Sequence, residues 1–274
     1  MRLIICLALL LLSVLPGTTV AAVIDREEAH ERLAGEDYRY SIDFLVFRNL
    51  AEGRLRLVRD TVPGRYRAEL EAKTLGVAAW LTGDRTQRYV AVMEAVGDGS
   101  LRSVSYQSSI IKRKHGEWTR RDKRFRFDYP AGKVYYDESD GGPFHKEREY
   151  PLPSGTTPVD MLTGFYNLRL GVYGALRPKA HLQIPTFTSR GTGTIDVEVM
   201  TDAALAAQPF FPQAGTLLRV RVSPEIFHTG NAGLYVFFDA GGRPTHGIVE
   251  DIIGMGDVYG YPQAPAHTSS TNNP

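Results

Sequence analysis

Apolar and polar residues alternate with a period of two along much of this chain. The alternation is clearest at 65–73, where Tyr, Ala and Leu occupy the even positions and Arg, Glu and Lys the odd ones. A similar pattern runs through 38–46 and returns at 195–199 and 218–222, and the last such segment is 246–253. Because successive side chains of a β-strand point to opposite faces, this pattern predicts strands with one buried face.

Turn residues divide the alternating segments into hairpins. Gly-Asp-Gly at 97–99 is a strong turn signal between strands predicted at 88–96 and 101–111. Residues 49–53 are predicted to form another turn. The continuously apolar run 234–238 predicts a strand that is covered on both faces. Short strands joined by such turns are typical of an antiparallel meander.

One segment has the spacing of a helix. Thr157 is suited to cap a helix, Pro158 to its first position and Asp160 to its third, and apolar residues follow at helical spacing: Met161, Leu162, Phe165 and Leu168. The sequence therefore predicts one helix near 158–170, called the central helix below. The expected fold is mainly β, of the α+β class: a large curved antiparallel sheet or half-barrel that wraps the central helix.

The N-terminal residues have the pattern of a secretory signal peptide. Arg2 precedes an apolar run from Leu3 to Leu12, and small residues at 20–22 predict cleavage after Ala22. The apolar run is too short to cross a bilayer, which takes about 20 residues. No later segment approaches that length, so no transmembrane segment is expected after cleavage.

Cysteine usage bears on the expected location. The single cysteine, Cys6, lies within the predicted signal peptide at 1–22, so the mature chain has no disulfide and no thiol. A cysteine-free exported chain favours a bacterial periplasm over a disulfide-rich secreted domain. The mature chain is expected to form a single β-rich domain over 23–260, followed by a disordered polar tail at 261–274.

The charge balance disfavours a nucleic-acid partner. The chain has 32 Lys and Arg against 31 Asp and Glu, so removing Arg2 with the signal peptide leaves it formally neutral. Nucleic-acid-binding domains are usually basic. Two basic runs, Lys112–His115 and Arg120–Arg124, flank one hairpin. They indicate either a patch for anionic lipid, lipopolysaccharide or nucleic acid, or a solvated hairpin tip whose charges prevent edge pairing; we prefer the second interpretation.

The sequence contains no familiar catalytic or metal-binding motif. No two of the histidines lie within four residues of each other, so no local pair of metal ligands is expected. The acidic segment Asp137–Gly142 lacks the ligand spacing of a calcium loop and is interpreted as a hairpin turn. We therefore predict no catalytic residue, no metal site and no cofactor.

Three residues are candidates for ligand binding: Trp80, Tyr166 and Arg169. Trp80 lies in an apolar segment between strands, and Tyr166 lies between core-facing positions of the central helix. A buried Arg169 needs an acidic partner such as Asp128 or Asp43, and the helix then organises the fold. An Arg169 that points into an open cavity would instead contact a ligand.

The central helix also resembles a motif of a known family. Residues Pro158–Arg169 are similar to the D-x-L-S-x-x-Y-x-L-R segment of a bacterial exported family known as domain of unknown function 3108. Supporting matches are Tyr40–Phe44, Phe125–Asp128 and Phe237–Asp239, and the resemblance extends over 38–253. It implies a periplasmic β-rich protein with no assigned enzyme activity. By analogy of fold alone, it also implies similarity to periplasmic lipoprotein carriers of the LolA and LppX type.

The leading functional hypothesis is a non-catalytic envelope protein that binds an apolar or amphipathic ligand, a lipid or a lipoprotein, in the concavity of its sheet. The alternatives are an envelope assembly module that acts through protein contacts, an uncharacterised hydrolase whose acids and bases come from separate strands, and an outer-membrane barrel. The central helix and the polar tail disfavour the barrel.

Overall fold

The computed structural model describes residues 29–44, 47–76, 79, 83–222, 233–250 and 256–263. The predicted signal peptide lies outside these residues, as do Trp80 and the predicted tail from residue 264 onward.

Fourteen β-strands form one antiparallel sheet. Their bounds are β1 Asp37–Phe44, β2 Phe47–Arg59, β3 Arg65–Thr74, β4 Thr86–Ala95, β5 Leu101–Lys114, β6 Glu117–Asp128, β7 Lys133–Ser139, β8 His145–Pro151, β9 His181–Thr188, β10 Gly191–Val199, β11 Gly215–Arg221, β12 Leu234–Asp239, β13 Pro244–Val249 and β14 Val258–Pro262. Their order across the sheet is β8-β7-β6-β5-β4-β3-β2-β1-β14-β13-β12-β11-β10-β9. The sheet is curved and unclosed, which confirms the predicted mainly β fold around a central helix.

Short helical segments accompany the sheet. The central helix spans Met161–Arg169, a second helix spans Asp202–Ala206, and a helical turn covers 29–33. The second helix begins at Thr201, whose hydroxyl accepts the backbone N–H of Ala204 at 3.2 Å.

Strand direction gives the sheet two distinct ends. Neighbouring strands are antiparallel throughout, including the first and the last, which pair with each other in the middle of the sheet. All odd-numbered strands therefore run toward one end, called the upper end below, and all even-numbered strands run toward the lower end. The β1–β2, β3–β4, β5–β6 and β11–β12 connections lie at the upper end. The β4–β5 and β12–β13 connections lie at the lower end.

Two strand boundaries differ from the prediction. Residues 49–53 do not form a turn but belong to β2, because β1 and β3 pair with this stretch on both sides and override its local turn preference. The last strand is not 246–253: β13 ends at Val249, and a further strand, β14, follows and pairs with β1. Tyr261 and Pro262, assigned to the tail from the sequence, are part of β14.

Both faces of the sheet are covered around β12. On the inner face, Phe238 and Leu218 pack in one cluster with Leu168 of the central helix. On the outer face, Phe237 packs in a separate cluster with Leu205 of the second helix. The apolar run in β12 is therefore buried from both sides, as its sequence predicted.

Side chains link the two edge strands, β8 and β9, where the described residues form no backbone ladder. The Tyr150 hydroxyl and the Arg148 guanidinium of β8 both donate to the carbonyl oxygen of Ser189, which follows β9. The Phe187 ring lies 5.5 Å from the Tyr150 ring and 6.0 Å from the Phe127 ring. These contacts bring the edges together while leaving the sheet open.

The substitution Glu69→Gln is expected to lower the free energy of unfolding by roughly 1 kcal/mol at neutral pH and by much less in acid. The Glu69 carboxylate accepts hydrogen bonds from Arg56 at 2.6 Å and Arg88 at 2.9 Å. Burial alone would raise the pKa of Glu69, but the bonds from the two arginines outweigh burial and hold the pKa below the ordinary 4.5. A carboxylate whose pKa is lower in the folded than in the unfolded state stabilises the fold at pH values above its unfolded-state pKa. This stabilisation is lost as the pH falls through the folded-state pKa.

Urea unfolding of both proteins at neutral pH and at about pH 3 measures this difference. An equal difference between the two proteins at both pH values would contradict the expected role of the carboxylate.

Candidate functional site

The central helix begins at Asp160 and not at Thr157. The Asp160 carboxylate accepts the backbone N–H groups of Leu162 at 2.9 Å and Thr163 at 3.0 Å, which makes Asp160 the N-cap. The backbone of Val159 cannot enter the helix, because it pairs with β9 at Thr186. The predicted capping box is therefore wrong.

The cap also fixes the helix to β5. The second carboxylate oxygen of Asp160 accepts the hydroxyls of Ser103 and Thr163, both at 2.6 Å. The Ser103 hydroxyl oxygen in turn accepts the backbone N–H of Asp160 at 2.8 Å. Burial raises the pKa of Asp160, and the hydrogen bonds from Ser103 and Thr163 oppose that rise.

Asn167 forms a second link between the helix and β5. Its amide group donates to the carbonyl oxygen of Leu101 at 2.7 Å, and its amide oxygen accepts the backbone N–H of Leu101 at 2.8 Å. The side chain thus pairs with the first residue of β5 as a neighbouring strand would. Asn167 is buried, so its amide group and the backbone of Leu101 each need the other as a hydrogen-bond partner.

The helix ends in a Schellman motif. The backbone N–H of Val172 donates to the carbonyl of Asn167 at 3.0 Å, and that of Gly171 donates to the carbonyl of Leu168 at 3.1 Å. Gly171 has a φ of 68°, a conformation that glycine adopts without strain. The helix thus ends where the segment predicted near 158–170 ends.

Arg169, on the last turn, is buried and ion-paired. Its guanidinium contacts both carboxylate oxygens of Glu36, at 2.6 and 2.8 Å, and also donates to the carbonyl of Gly242 at 3.0 Å. Burial alone would lower the pKa of Arg169, but the hydrogen bonds and charge of Glu36 raise it. The partner is therefore Glu36, and neither Asp128 nor Asp43.

These contacts place the central helix across the lower end of the sheet. Leu101 and Ser103 begin β5, Glu36 immediately precedes β1, and Gly242 lies in the β12–β13 connection, so all of them belong to that end. The helix thus lies across the lower end of the concavity.

An apolar cavity of about 170 Å³ lies between the helix and the inner face of the sheet. Every described residue that lines it is apolar: Leu55, Leu70, Met161, Leu162, Phe165, Leu168, Ile184, Ile195, Val197, Leu218, Val220, Val222, Leu234, Val236 and Phe238. Val222 and Leu234 flank the β11–β12 connection and are partly exposed. This part of the lining therefore lies toward the upper end of the sheet.

Tyr166 and Arg169, two of the residues predicted to bind a ligand, are not among the residues that line this cavity. Tyr166 is fully buried against β2–β5, and its hydroxyl has no hydrogen-bond partner among the described residues. Arg169 is engaged with Glu36 at the lower end, and Trp80 lies outside the described residues. The prediction missed the lining residues on β10–β12, although their inward face is visible as the apolar half of each alternating segment.

A second concavity, of about 530 Å³, is polar and lies along β9–β11. Its lining includes Glu198 opposite Arg219 and Asp196 opposite Arg221. Opposite charges thus face each other across neighbouring strands, which leaves little net charge to attract an ionic ligand.

Two negative findings apply to the described residues. In these ranges, no group of three or more His, Cys, Asp or Glu side chains is placed to hold a metal ion. Within the same part of the chain, no helix has the length and apolar character needed to cross a bilayer.

Comparisons with known proteins identify a family and include a solved structure. A family model described as "Protein of unknown function (DUF3108)" matches residues 39–246. No curated protein matches the chain. A solved structure described as a beta-barrel-like protein of domain of unknown function DUF1849 from Brucella abortus is 10% identical, covers 83% of this chain and 94% of its own, and has a TM-score of 0.44. The expected likeness to LolA- and LppX-type carriers is not confirmed by these findings.

Proposed function

The chain belongs to the DUF3108 family of proteins of unknown function, and we propose that it is an exported, non-catalytic protein that binds an acyl chain of a lipid or lipoprotein in the apolar cavity. The observation that carries the proposal is the cavity itself: the described residues that line it are all apolar, and part of this lining is exposed to solvent. Polar residues at the lower end are used to fix the central helix and take no part in the lining.

The size of the cavity suits part of an acyl chain. A dry apolar cavity of about 150 Å³ is large enough to bind benzene, and the cavity here measures about 170 Å³. Each buried methylene contributes about 0.8 kcal/mol, so about six of them supply roughly 5 kcal/mol. A chain that enters from the upper end leaves its polar head in water, where the head needs no buried partner.

The export part of the proposal rests on the signal-like residues 1–22. Protein recovered from the periplasmic fraction of a bacterial host is the appropriate material for a binding test. Its intact mass reports whether the chain starts after Ala22, and native mass spectrometry of the same sample reports any lipid that purifies with it.

The substitution Val236→Trp is expected to weaken binding of the fluorescent probe N-phenyl-1-naphthylamine at least tenfold. Val236 lines the cavity, and the larger indole occupies the space that the probe needs. Overpacking of this kind costs about 1–3 kcal/mol of stability, so circular dichroism checks that the variant remains folded. Fluorescence titration, with dodecanoate as competitor, measures the affinity.

Val58→Trp is the matched control. Val58 lies on the opposite face of β2 from the buried Leu57 and is 36% exposed, so the same change there leaves the cavity open. Equal affinities of the two folded variants, or a wild-type protein that binds neither probe nor dodecanoate, would refute the acyl-binding proposal.

A further inference from the structure

The β5–β6 hairpin extends past the paired ends of β4 and β7 at the upper end of the sheet. Beyond the end of β4, the backbone N–H of Arg113 donates to the carbonyl of Gly83. Pairing with β4 ends at Ile111, and pairing with β7 ends at Asp122. The residues between these two points, 112–121, are all exposed. They are called the hairpin tip below.

The hairpin tip is strongly basic. Its sequence contains five Lys and Arg residues and one acidic residue, Glu117. Arg120 and Arg121 pair with acids on β6 and β7. The other three cations, Lys112, Arg113 and Lys114, form no ion pair within the described ranges, and the charge of this strand end is therefore available to a partner.

The hairpin tip also exposes a tryptophan. Trp118 is 62% exposed, although its ring is large and mostly apolar. It lies directly opposite Arg113 in the β5–β6 ladder, so both side chains point to the same face. Lys112 and Lys114 point to the opposite face of the same strand end. An exposed aromatic ring on a basic strand end is the combination found where proteins contact the headgroup region of a membrane.

The rest of the upper end supports the same surface. Phe47, the first residue of β2, is 56% exposed, and the β1–β2 and β5–β6 connections lie at the same end of the sheet. Val222 and Leu234, which line the apolar cavity, flank a connection at this end. Two exposed aromatic residues, a basic strand end and part of the cavity lining thus share one end of the sheet.

We propose that the hairpin tip docks the upper end of the protein on a membrane surface that contains anionic phospholipid. Lys112, Arg113 and Lys114 attract the phosphate groups, and Trp118 inserts at the headgroup level. A nucleic acid would also attract the cations, but it offers no apolar layer for Trp118, and the charge of the whole chain is close to neutral. The proposal does not depend on ligand binding by the cavity.

Vesicle flotation tests the proposal with the full chain purified after export. The wild-type protein is expected to bind vesicles of phosphatidylcholine with phosphatidylglycerol at least tenfold more strongly than vesicles of phosphatidylcholine alone, and added salt should weaken this binding. The double variant Lys112→Glu with Lys114→Glu is expected to lose at least tenfold in binding to the anionic vesicles, because it removes two attractive charges and adds two repulsive ones. Trp118→Ala is expected to lose several-fold and to abolish the blue shift of tryptophan emission on vesicle addition.

The double variant Arg177→Glu with Lys179→Glu is the charge-matched control. These two exposed residues precede β9, at the lower end of the sheet, and their reversal is expected to change vesicle binding less than twofold. An equal loss of vesicle binding in the control variant, or equal binding of the wild-type protein to both kinds of vesicle, would overturn the proposal. So would a tip variant that loses binding to RNA but keeps its binding to anionic vesicles. The tip variants are expected to bind N-phenyl-1-naphthylamine as the wild-type protein does. A failure of membrane docking can therefore be distinguished from a failure of ligand binding in the cavity.

Discussion

Replacing Arg169 by methionine is expected to destabilise the fold by about 3–5 kcal/mol. Only 5% of the Arg169 side chain and 13% of the Glu36 side chain are accessible to solvent. The substitution removes the cation and leaves the Glu36 carboxylate buried, with the Tyr38 hydroxyl as its remaining donor, at 2.7 Å. It also removes the bond from the guanidinium to the carbonyl of Gly242. Urea unfolding, followed by circular dichroism, measures the loss.

Two further variants show whether burial causes this loss. Arg59 forms a comparable pair with Glu31, but the two side chains are 62% and 53% exposed. Arg59→Met should therefore lower the free energy of unfolding by only a small fraction of the loss expected for Arg169→Met. Adding Glu36→Gln to the Arg169→Met variant removes the unpaired charge and is expected to restore part of the stability. Similar losses for the exposed and the buried arginine would contradict the role assigned to Arg169.

Asn167→Ala is expected to destabilise the protein by about 2–4 kcal/mol. The variant leaves the backbone N–H and carbonyl of Leu101 without the side-chain partners they have at 2.8 and 2.7 Å. Each unsatisfied buried polar group costs about 1–3 kcal/mol. Because Asn167 joins the helix to β5, the helix should also become less protected from hydrogen exchange than the strands on its far side.

Gln183→Ala provides the control for Asn167. The Gln183 amide donates to Asp196 at 3.1 Å, but this bond lies on the exposed surface, where most substitutions stay within about 0.5 kcal/mol. If the two variants lost the same stability, the pairing of Asn167 with Leu101 could not be the reason. Loss of exchange protection throughout the sheet would likewise argue against a local anchor.

The strands were predictable wherever one face is apolar and the other polar. β3 is the clearest case, since its alternation shows directly in the sequence. β8 was missed because its sequence, His-Lys-Glu-Arg-Glu-Tyr-Pro, has no apolar half. It is an edge strand held by β7 on one side, and that pairing does not show in its own residues.

The start of the central helix shows a second limit of the sequence. Thr157 and Asp160 are both good capping residues, and local preference favoured the first of them. The choice depends on Val159, whose backbone is bound by β9, and on Ser103 of β5, which holds the Asp160 carboxylate. Neither contact is local, so the sequence alone did not select between the two caps.

The sequence predicted an apolar site in the concavity of the sheet, but it did not identify the residues that line the cavity. The inward faces of β10, β11 and β12 follow from alternation, yet whether they touch the central helix or leave a space depends on the curvature of the whole sheet. Arg169 illustrates the same difficulty, because its partner Glu36 is 133 residues away in sequence. Tertiary packing determines which residues so far apart in the sequence come into contact.

The pairing of β1 with β14 has a consequence for the order in which the protein folds. The strands β1–β8 join sequence neighbours, as do β9–β14, so each half can form from short loops. The junction between the halves is different: the Tyr261 hydroxyl meets Asp43 across 218 residues of chain, and closing so long a loop has a larger entropic cost. We expect this junction to be the slow step, during which β1 and β14 remain open edges that are prone to pair with other chains.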